Sequence, residues 1–330
     1  MTVGLDIGTM NIVAARQDGG EVGIKRIRDA FLDLPIQAKK VLRLSGASFM
    51  QREEDILLLG DRALEMAIIF GREVRRPLSR GLVSPSELDS LDVLGYLIRE
   101  VLGEAEEADG DEVCFFSVPA APIDNPQKDV IYHKGVFEKI VSQCGYKGVP
   151  SNEAMAIIFS EAVQDNFSGL SFSFGSGMTN IALAFNGMEG MVFSVERGGD
   201  WIDEGAARSL GSPQSRLCHI KEGGLNLLHP KNRDEEALTF YYKELINYVL
   251  DWVQREFLRR QLHNVVTKPI PMILSGGTSL AKNFEVLFKK EYQRRKKRFP
   301  LQISEIRSAS DPLNAVAKGL LIQAKNEEED

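Results

Sequence analysis

Apolar and polar positions divide the start of the chain into short strands. An apolar run from Val3 leads into a Gly-Thr turn and an alternating strand that ends at Arg16, and Gly23–Arg28 follows an Asp-Gly-Gly turn. Three strands joined by short turns predict an antiparallel meander. The same order of strand, glycine turn, strand, Asn-Gly turn and strand recurs between Leu170 and Val195.

This repeat predicts a duplicated core. The alignment sets Asp6 opposite Ser173, and it pairs Asn11 with Asn180 if the second turn is two residues longer. Repetition separated by about half a chain predicts two domains that face each other across a cleft. Two unrelated hairpins are the alternative interpretation.

The remaining pattern is a mixture of helices and strands. Helical apolar spacing covers Ser86–Leu102 and Glu235–Leu262, and largely apolar runs at Val113–Val118 and Ile270–Leu274 predict buried strands. A helix is expected to begin in the Ser-Gly-Gly-Thr sequence after the second of these strands. The whole pattern predicts an α/β fold.

Three glycine-rich turns follow apolar runs, at Gly8-Thr9, Gly175–Gly177 and Ser275–Thr278. Backbone amides at such turns suit phosphate oxygens, and glycine leaves room for a ligand to approach. Two facing turns are able to clamp phosphates while the third receives a nucleoside. The chain contains neither a P-loop nor a Rossmann glycine pattern, so neither of those sites explains the turns.

Five segments in a fixed order resemble the actin-like ATPase superfamily, which includes actin, sugar kinases and heat-shock chaperone ATPases. They are most similar to bacterial actins of the MreB type. The segments are LDIGTMN, SNEAMAIIFS, FGSGMTN with GGDWIDEG, LSGGTSL and DPLNAVAKGLL, and together they span nearly the whole chain. They are similar to the first phosphate loop, the first connecting helix, the second phosphate loop, the adenosine loop and the second connecting helix.

The resemblance implies two α/β domains of ribonuclease-H-like topology with a nucleotide cleft between them. Domain I would comprise residues 1–150 and 313–330, with the first phosphate loop and the returning C-terminal helix. Domain II would comprise residues 151–312, with the second phosphate loop and the adenosine loop.

The resemblance also implies ATP or ADP and Mg²⁺ as cofactors and gives each site residue a role. Asp6 would hold hydrated Mg²⁺, and Glu153 would orient the attacking water. The other implied nucleotide contacts are Gly8, Thr9, Met10 and Asn11 in the first loop, Gly175, Ser176, Gly177, Met178 and Thr179 in the second, Lys221 and Glu222 at the adenine edge and ribose, and Gly276, Gly277 and Thr278 at ribose and adenine.

Some of these residues have ordinary structural alternatives. Asp6 is at a strand end and is able to cap a turn. Glu153 is able to complement a helix dipole after Ser151 or Asn152 caps the helix.

Ser173 departs from the family, which ordinarily has an aspartate there to steady the waters of the metal. Serine carries no negative charge, so the resemblance implies a site that binds a Mg-nucleotide yet hydrolyses it slowly. Asp200 and Asp203 are candidates for a substitute in the water shell of the ion, and helix-start acids are the alternative interpretation of both.

The function implied by the resemblance is a filament-forming cytoskeletal protein, in which ATP closes the cleft and favours head-to-tail assembly. A repeated heterologous contact that does not close makes a filament. The alternatives are a non-polymerising ATPase of the same fold, of the chaperone or assembly-adaptor type, and a small-molecule kinase. A chaperone would need a C-terminal substrate-binding domain, and a kinase a catalytic Asp with a larger substrate domain.

Charge and hydropathy limit the kinds of partner and the cellular location that the sequence allows. A net charge of −7 argues against nucleic acid as the main partner. No apolar run approaches the roughly 20 residues that span a bilayer, and the first strand leaves no room for a signal peptide, so a cytoplasmic location is expected. The basic segment Lys289–Arg298 reads as a solvated helix end, or as a site for an acidic partner, an anionic membrane or a nucleic acid. Its contrast with the acidic C-terminus also allows a role in head-to-tail self-association.

Overall fold

The computed structural model describes residues 2–18, 20–52, 54–84, 86–87, 89–106, 112–262 and 268–329. Its first half contains β1 (Val3–Ile7), β2 (Asn11–Asp18), β3 (Glu21–Arg28), β4 (Phe31–Pro35), α1 (Lys39–Leu44), β5 (Phe49–Gln51), β6 (Asp55–Leu59), α2 (Asp61–Phe70), β7 (Leu78–Ser79), β8 (Leu82–Val83), α3 (Ser90–Leu102), β9 (Val113–Val118), α4 (Ile131–Gln143), β10 (Lys147–Asn152) and α5 (Glu153–Glu161). Its second half contains β11 (Gly169–Phe174), β12 (Thr179–Phe185), β13 (Met188–Val195), α6 (Gly199–Leu210), α7 (Gln214–Glu222), α8 (Arg233–Arg259), β14 (Ile270–Ser275), α9 (Phe284–Arg295), β15 (Ile303–Ser308) and α10 (Ala315–Glu329).

Two five-stranded sheets share one plan. In the first, the order is β10-β9-β1-β2-β3, with an antiparallel meander from β1 to β3 and parallel strands at β9 and β10. In the second, the order is β15-β14-β11-β12-β13, with the same strand directions. The duplicated α/β core predicted from the repeat is confirmed. A smaller sheet, β4-β6-β5, follows β3.

The β1–β2 and β11–β12 hairpins have turns of equal length. Ile7 pairs with Ile12 in the first hairpin, and Phe174 pairs with Thr179 in the second. Residues 8–11 and residues 175–178 therefore occupy equivalent positions.

Equal turns correct the sequence alignment of the repeat. The expected two-residue extension of the second turn is wrong, because the strand pairing sets Asn11 opposite Met178 and not opposite Asn180. Asp6 still corresponds to Ser173, since both residues precede the turn by the same number of positions.

Helices α5 and α10 pack closely against each other, and small residues permit the approach. A Cβ added to Gly319 in α10 would lie 1.8 Å from the carbonyl oxygen of Ala156 in α5. A Cβ on Gly4 in β1 would lie 2.2 Å from the carbonyl oxygen of Ala317. Helix α10 contacts both β1, which was assigned to domain I, and α5, which was assigned to domain II. The division into domain I (residues 1–150 and 313–330) and domain II (residues 151–312) therefore stays a prediction.

Several predicted elements are present with shifted ends. The helix predicted from Ser86 begins at Ser90, and the long helix predicted from Glu235 is α8. After β14 the expected helix is a short 3₁₀ helix, Gly277–Leu280, and α9 begins at Phe284. Within the described ranges, no helix has both the length and the apolar character needed to span a bilayer.

Candidate functional site

The glycine turns of both sheets line one cavity of about 330 Å³. Most of the residues predicted from the sequence also line it: Asp6, Gly8, Thr9, Met10, Asn11, Glu153, Gly175, Ser176, Gly177, Met178, Lys221, Glu222, Gly276, Gly277 and Thr278. Thr179 does not. It is fully buried as the first residue of β12, and its hydroxyl donates to the carbonyl of Arg197 at 2.7 Å.

The two turns are closed by equivalent backbone hydrogen bonds. The amide of Gly8 donates to the carbonyl of Asn11 at 3.0 Å, and the amide of Gly175 donates to the carbonyl of Met178 at 3.0 Å. Each sheet therefore contributes a backbone turn of the same local geometry to the lining of the cavity.

A third segment, the β7–β8 hairpin, packs between the two turns. Its Gly81 amide donates to the Thr9 hydroxyl at 3.1 Å. A Cβ on Gly177 would lie 2.2 Å from that same amide nitrogen, so the contact requires glycine at position 177. Arg80 and Gly81 both have positive φ, which suits a two-residue hairpin turn of the type I′ kind.

Two carboxylates lie at the base of the cavity. Glu153 is the first residue of α5, which Asn152 caps by accepting from the amides of Ala154 and Met155 at 2.9 and 3.2 Å. Burial raises the pKa of Glu153, and the nearby charge of Asp6 raises it further. Burial also raises the pKa of Asp6.

Two polar side chains of the second sheet hold Glu153 in place. Asn180 donates from its side-chain amide to Oε2 of Glu153 at 2.9 Å, and the Ser173 hydroxyl donates to the same oxygen at 3.4 Å. Both hydrogen bonds act to lower the pKa of Glu153, against the effect of burial. Ser173, which stands where the first sheet has Asp6, is therefore a hydrogen-bond donor to the carboxylate at the start of α5.

The third turn combines one constrained and one open glycine. Gly276 has φ of +92°, and a Cβ there would lie 2.5 Å from the carbonyl oxygen of Phe174. A Cβ on Gly277 would meet only Leu313, at 3.6 Å. The Thr278 hydroxyl donates to the carbonyl of Gly175 at 2.8 Å and so joins this turn to the second one.

Asp200 and Asp203 lie outside this cavity, on the wall of a second one of about 610 Å³. Asp200 accepts from Arg76 at 3.0 and 3.1 Å and from the Ser176 hydroxyl at 2.7 Å. Burial alone would raise the pKa of Asp200, but Arg76 and Ser176 outweigh it and hold this pKa below its usual value. Asp203, fully buried, accepts from Lys221 at 2.5 Å, and burial raises its pKa to about 6.

Sequence reasoning missed several residues that line the cavity, among them Arg26, Arg28, Asp61, Gly81 and Asn180. Arg26 and Arg28 are in β3, where they share one face of the strand and alternate with Ile27, which is the ordinary signal of an exposed strand face. Correct alignment of the hairpins would have drawn attention to Asn180, since it then stands opposite Val13 of the first copy.

Solved structures that resemble the chain have an actin-like fold. The MamK double helical filament is 15% identical, covers 98% of each chain and superimposes with a TM-score of 0.74. MreB5 of Spiroplasma citri bound to ADP is 15% identical, covers 99% of this chain and 97% of its own, and gives 0.65. The ethanolamine utilization protein EutJ from Carboxydothermus hydrogenoformans is 16% identical, covers 97% and 88%, and gives 0.56.

At these identities the likeness establishes the fold alone, which is the actin-like two-domain fold of the MreB type. No curated protein sequence matches the chain significantly. The profile of the Volactin family matches residues 1–324, which is nearly the whole chain. The chain therefore belongs to the Volactin family.

Proposed function

We propose that this chain is a nucleotide-dependent, filament-forming cytoskeletal protein of the actin-like class that hydrolyses ATP slowly. The observation that carries the proposal is the single cavity between two equivalent glycine turns, one from each copy of the duplicated sheet. Two solved structures of the same fold support it, since MreB5 is described as bound to ADP and MamK as a double helical filament.

The cavity residues fit a nucleoside triphosphate. The turn amides that do not close the turns, with the hydroxyl of Thr9, are suited to phosphate oxygens, because donors at a tight turn converge on one point. The open space beside Gly277 suits a nucleoside. Lys221 is engaged by Asp203 and by the carbonyl of Gly199 at 3.0 Å, so its role at the ligand is shared with a structural one.

Mg²⁺ would be held through water by Asp6. Among the described residues, no group of three or more His, Cys, Asp or Glu side chains is arranged to hold a metal ion directly. One carboxylate facing the phosphate turns fits the second-sphere role, in which a hydrated ion neutralises phosphate charge.

Glu153 is the residue best placed to orient an attacking water. Asn180 and Ser173 fix its carboxylate from one side, which leaves the other oxygen, Oε1, for a water. Hydrolysis is expected to be slow, because Ser173 supplies a hydroxyl where a second carboxylate would help to organise the waters of the metal. Calorimetry with ATP, with and without Mg²⁺, followed by a phosphate-release assay, tests these assignments. They would be contradicted if the protein bound neither ATP nor Mg-ATP.

A second candidate is a non-polymerising adaptor ATPase of the same fold. The likeness to EutJ, described as an ethanolamine utilization protein, is the observation that favours it. Electron micrographs of the nucleotide-bound protein separate the two, because an adaptor would bind nucleotide and remain dispersed.

We propose that the protein associates with further copies of itself in a head-to-tail filament, and that it does so in the cytoplasm. The basic segment at the end of α9 is a further candidate contact for an anionic membrane or an acidic protein. Lys289 pairs with Glu285 at 2.6 Å and Arg294 with Glu291 at 2.8 Å. Both basic side chains are exposed, as are those of Lys290, Lys296, Lys297 and Arg298. Binding to vesicles of anionic lipid tests this contact.

A further inference from the structure

Arg28 and Glu222 form an ion pair across the mouth of the nucleotide cavity. Arg28 ends β3 in the first half of the chain, and Glu222 ends α7 in the second half. Nη1 of Arg28 donates to Oε1 of Glu222 at 3.0 Å, and Nη2 donates to Oε2 at 3.3 Å. This fork is the geometry in which an arginine and a carboxylate pair most specifically.

The pair stands in the wall between two cavities. Both residues line the cavity of about 330 Å³, and both also line the second cavity of about 610 Å³. The arginine side chain is 16% exposed and the glutamate side chain 38%. Solvent therefore screens the pair only in part, and it closes the gap between β3 and α7.

A second ion pair crosses between the same two parts of the chain. Arg76, which follows α2, binds Asp200 at the start of α6, and Asp200 also accepts from Ser176 in the second glycine turn. The two crossings thus occur at a phosphate turn and at a residue predicted to contact the nucleoside. The side chains that join the two halves of the chain are therefore also side chains that shape the ligand site.

We propose that Arg28 is a positioning residue that acts through Glu222, and that their ion pair is a latch controlling entry and exit of the nucleotide. The inference rests on the proposed function. A carboxylate has about four acceptor positions, and the fork uses one on each oxygen, so Glu222 is still able to accept from ribose hydroxyls while latched. A ligand that binds the latched carboxylate and a latch that holds that carboxylate in place stabilise each other.

A latch predicts a kinetic signature that a lost ligand contact does not. With Arg28→Gln, both the association and the dissociation rate of a fluorescent ATP analogue should rise about fivefold, since the partly exposed fork to Glu222 is broken. The variant also removes the 3.7 Å ion pair between Arg28 and Asp61, which does not cross between the two halves of the chain. The dissociation constant should change less than either rate. Arg28→Lys, which keeps the charge but replaces the fork with a single donor nitrogen, should restore part of the difference.

The matched control is Arg62→Gln, which removes an exposed ion pair with Glu65 within α2. Stopped-flow mixing and displacement give the two rates, and hydrogen exchange of the nucleotide-free protein reports closure independently. In Arg28→Gln, exchange should rise in residues 28–31 and 214–222, and in the control it should not. Unchanged rates, a rise in dissociation alone, or unchanged exchange in these segments would each overturn the latch. If the parent binds no nucleotide, the proposed function fails, and the exchange experiment still judges the latch.

Discussion

The hydroxyl of Ser173 donates to the carboxylate of Glu153 across 3.4 Å, from the position that corresponds to Asp6 in the first sheet. The residue that departs from the expected actin-like pattern is thus in contact with the proposed catalytic residue. Ser173 is only 4% exposed, so a charge placed there would be poorly solvated.

Ser173→Asp should destabilise the nucleotide-free protein by about 2 kcal/mol, because it sets a buried carboxylate against Glu153. Mg-ATP should recover more stability in this variant than in the parent, since a bound cation compensates the added charge. Phosphate release should rise if the added carboxylate helps to hold the waters of the metal. Melting curves with and without Mg-ATP, with Ser173→Ala as the uncharged control, check the stability. An equal Mg-ATP effect in all three proteins would place Ser173 outside the metal site.

Glu153→Ala should leave Mg-ATP affinity nearly intact and lower turnover. Loss of one positioned catalytic group typically costs on the order of 10² to 10⁴ in rate. Single-turnover phosphate release measures the effect. Asn180→Ala should lower turnover less, because Glu153 itself stays and Ser173 still donates to it. This variant removes the 2.9 Å hydrogen bond to Glu153 and the 3.0 Å hydrogen bond that Asn180 accepts from the Ala120 amide. Parent-like turnover in Glu153→Ala would reduce this residue to a helix-start acid.

Gly277→Val should abolish nucleotide binding without unfolding the protein. A Cβ at this position meets only Leu313, at 3.6 Å, so the added methyl groups project into the space proposed for the nucleoside. Gly277→Ala should weaken binding less. Calorimetry gives the affinities and a melting curve verifies the fold; full affinity in Gly277→Val would remove the third turn from the site.

Gly276→Ala should act differently from its neighbour. With φ of +92° and the carbonyl of Phe174 only 2.5 Å from an added Cβ, the substitution strains the turn itself. We expect a loss of about 1–3 kcal/mol in the free energy of unfolding, as for other overpacked sites. Denaturant melts of the nucleotide-free protein measure it, and parent-like stability would show that the turn relaxes.

Gly319→Ala tests the contact between the two connecting helices. Its Cβ would lie 1.8 Å from the backbone of Ala156, so α10 must shift away from α5. The free energy of unfolding should fall by about 3 kcal/mol, at the upper end for overpacking. Gly135→Ala in α4 is the control, because an added Cβ there meets nothing within 4 Å. Equal melting of the two variants would contradict the close packing.

Local patterns were sufficient to predict the duplicated sheet and the three turns. A glycine turn between apolar strands is a signal contained in a few residues, as at Gly8 and Gly175. The length of the second turn was predicted wrongly, because the alignment matched two asparagines, Asn11 and Asn180, that the strand pairing does not place at equivalent positions.

Contacts between distant segments were beyond prediction from the sequence. Gly81 reads as an ordinary hairpin glycine, and its approach to Thr9 depends on how the β7–β8 hairpin packs against the first turn. Arg28 likewise reads as an exposed strand residue, and its partner Glu222 is 194 positions away. The roles of the site residues were predicted from resemblance alone, and they remain proposals for experiment.

High-speed pelleting combined with electron microscopy tests the central claim most directly, that nucleotide in the cavity between the two glycine turns drives self-assembly. The protein should pellet as filaments with Mg-ATP and stay dispersed without nucleotide, and Gly277→Val should stay dispersed in both conditions. The account would be contradicted if the parent protein stayed dispersed at a Mg-ATP concentration that calorimetry shows to be saturating. It would also be contradicted if Gly277→Val formed filaments as well as the parent does.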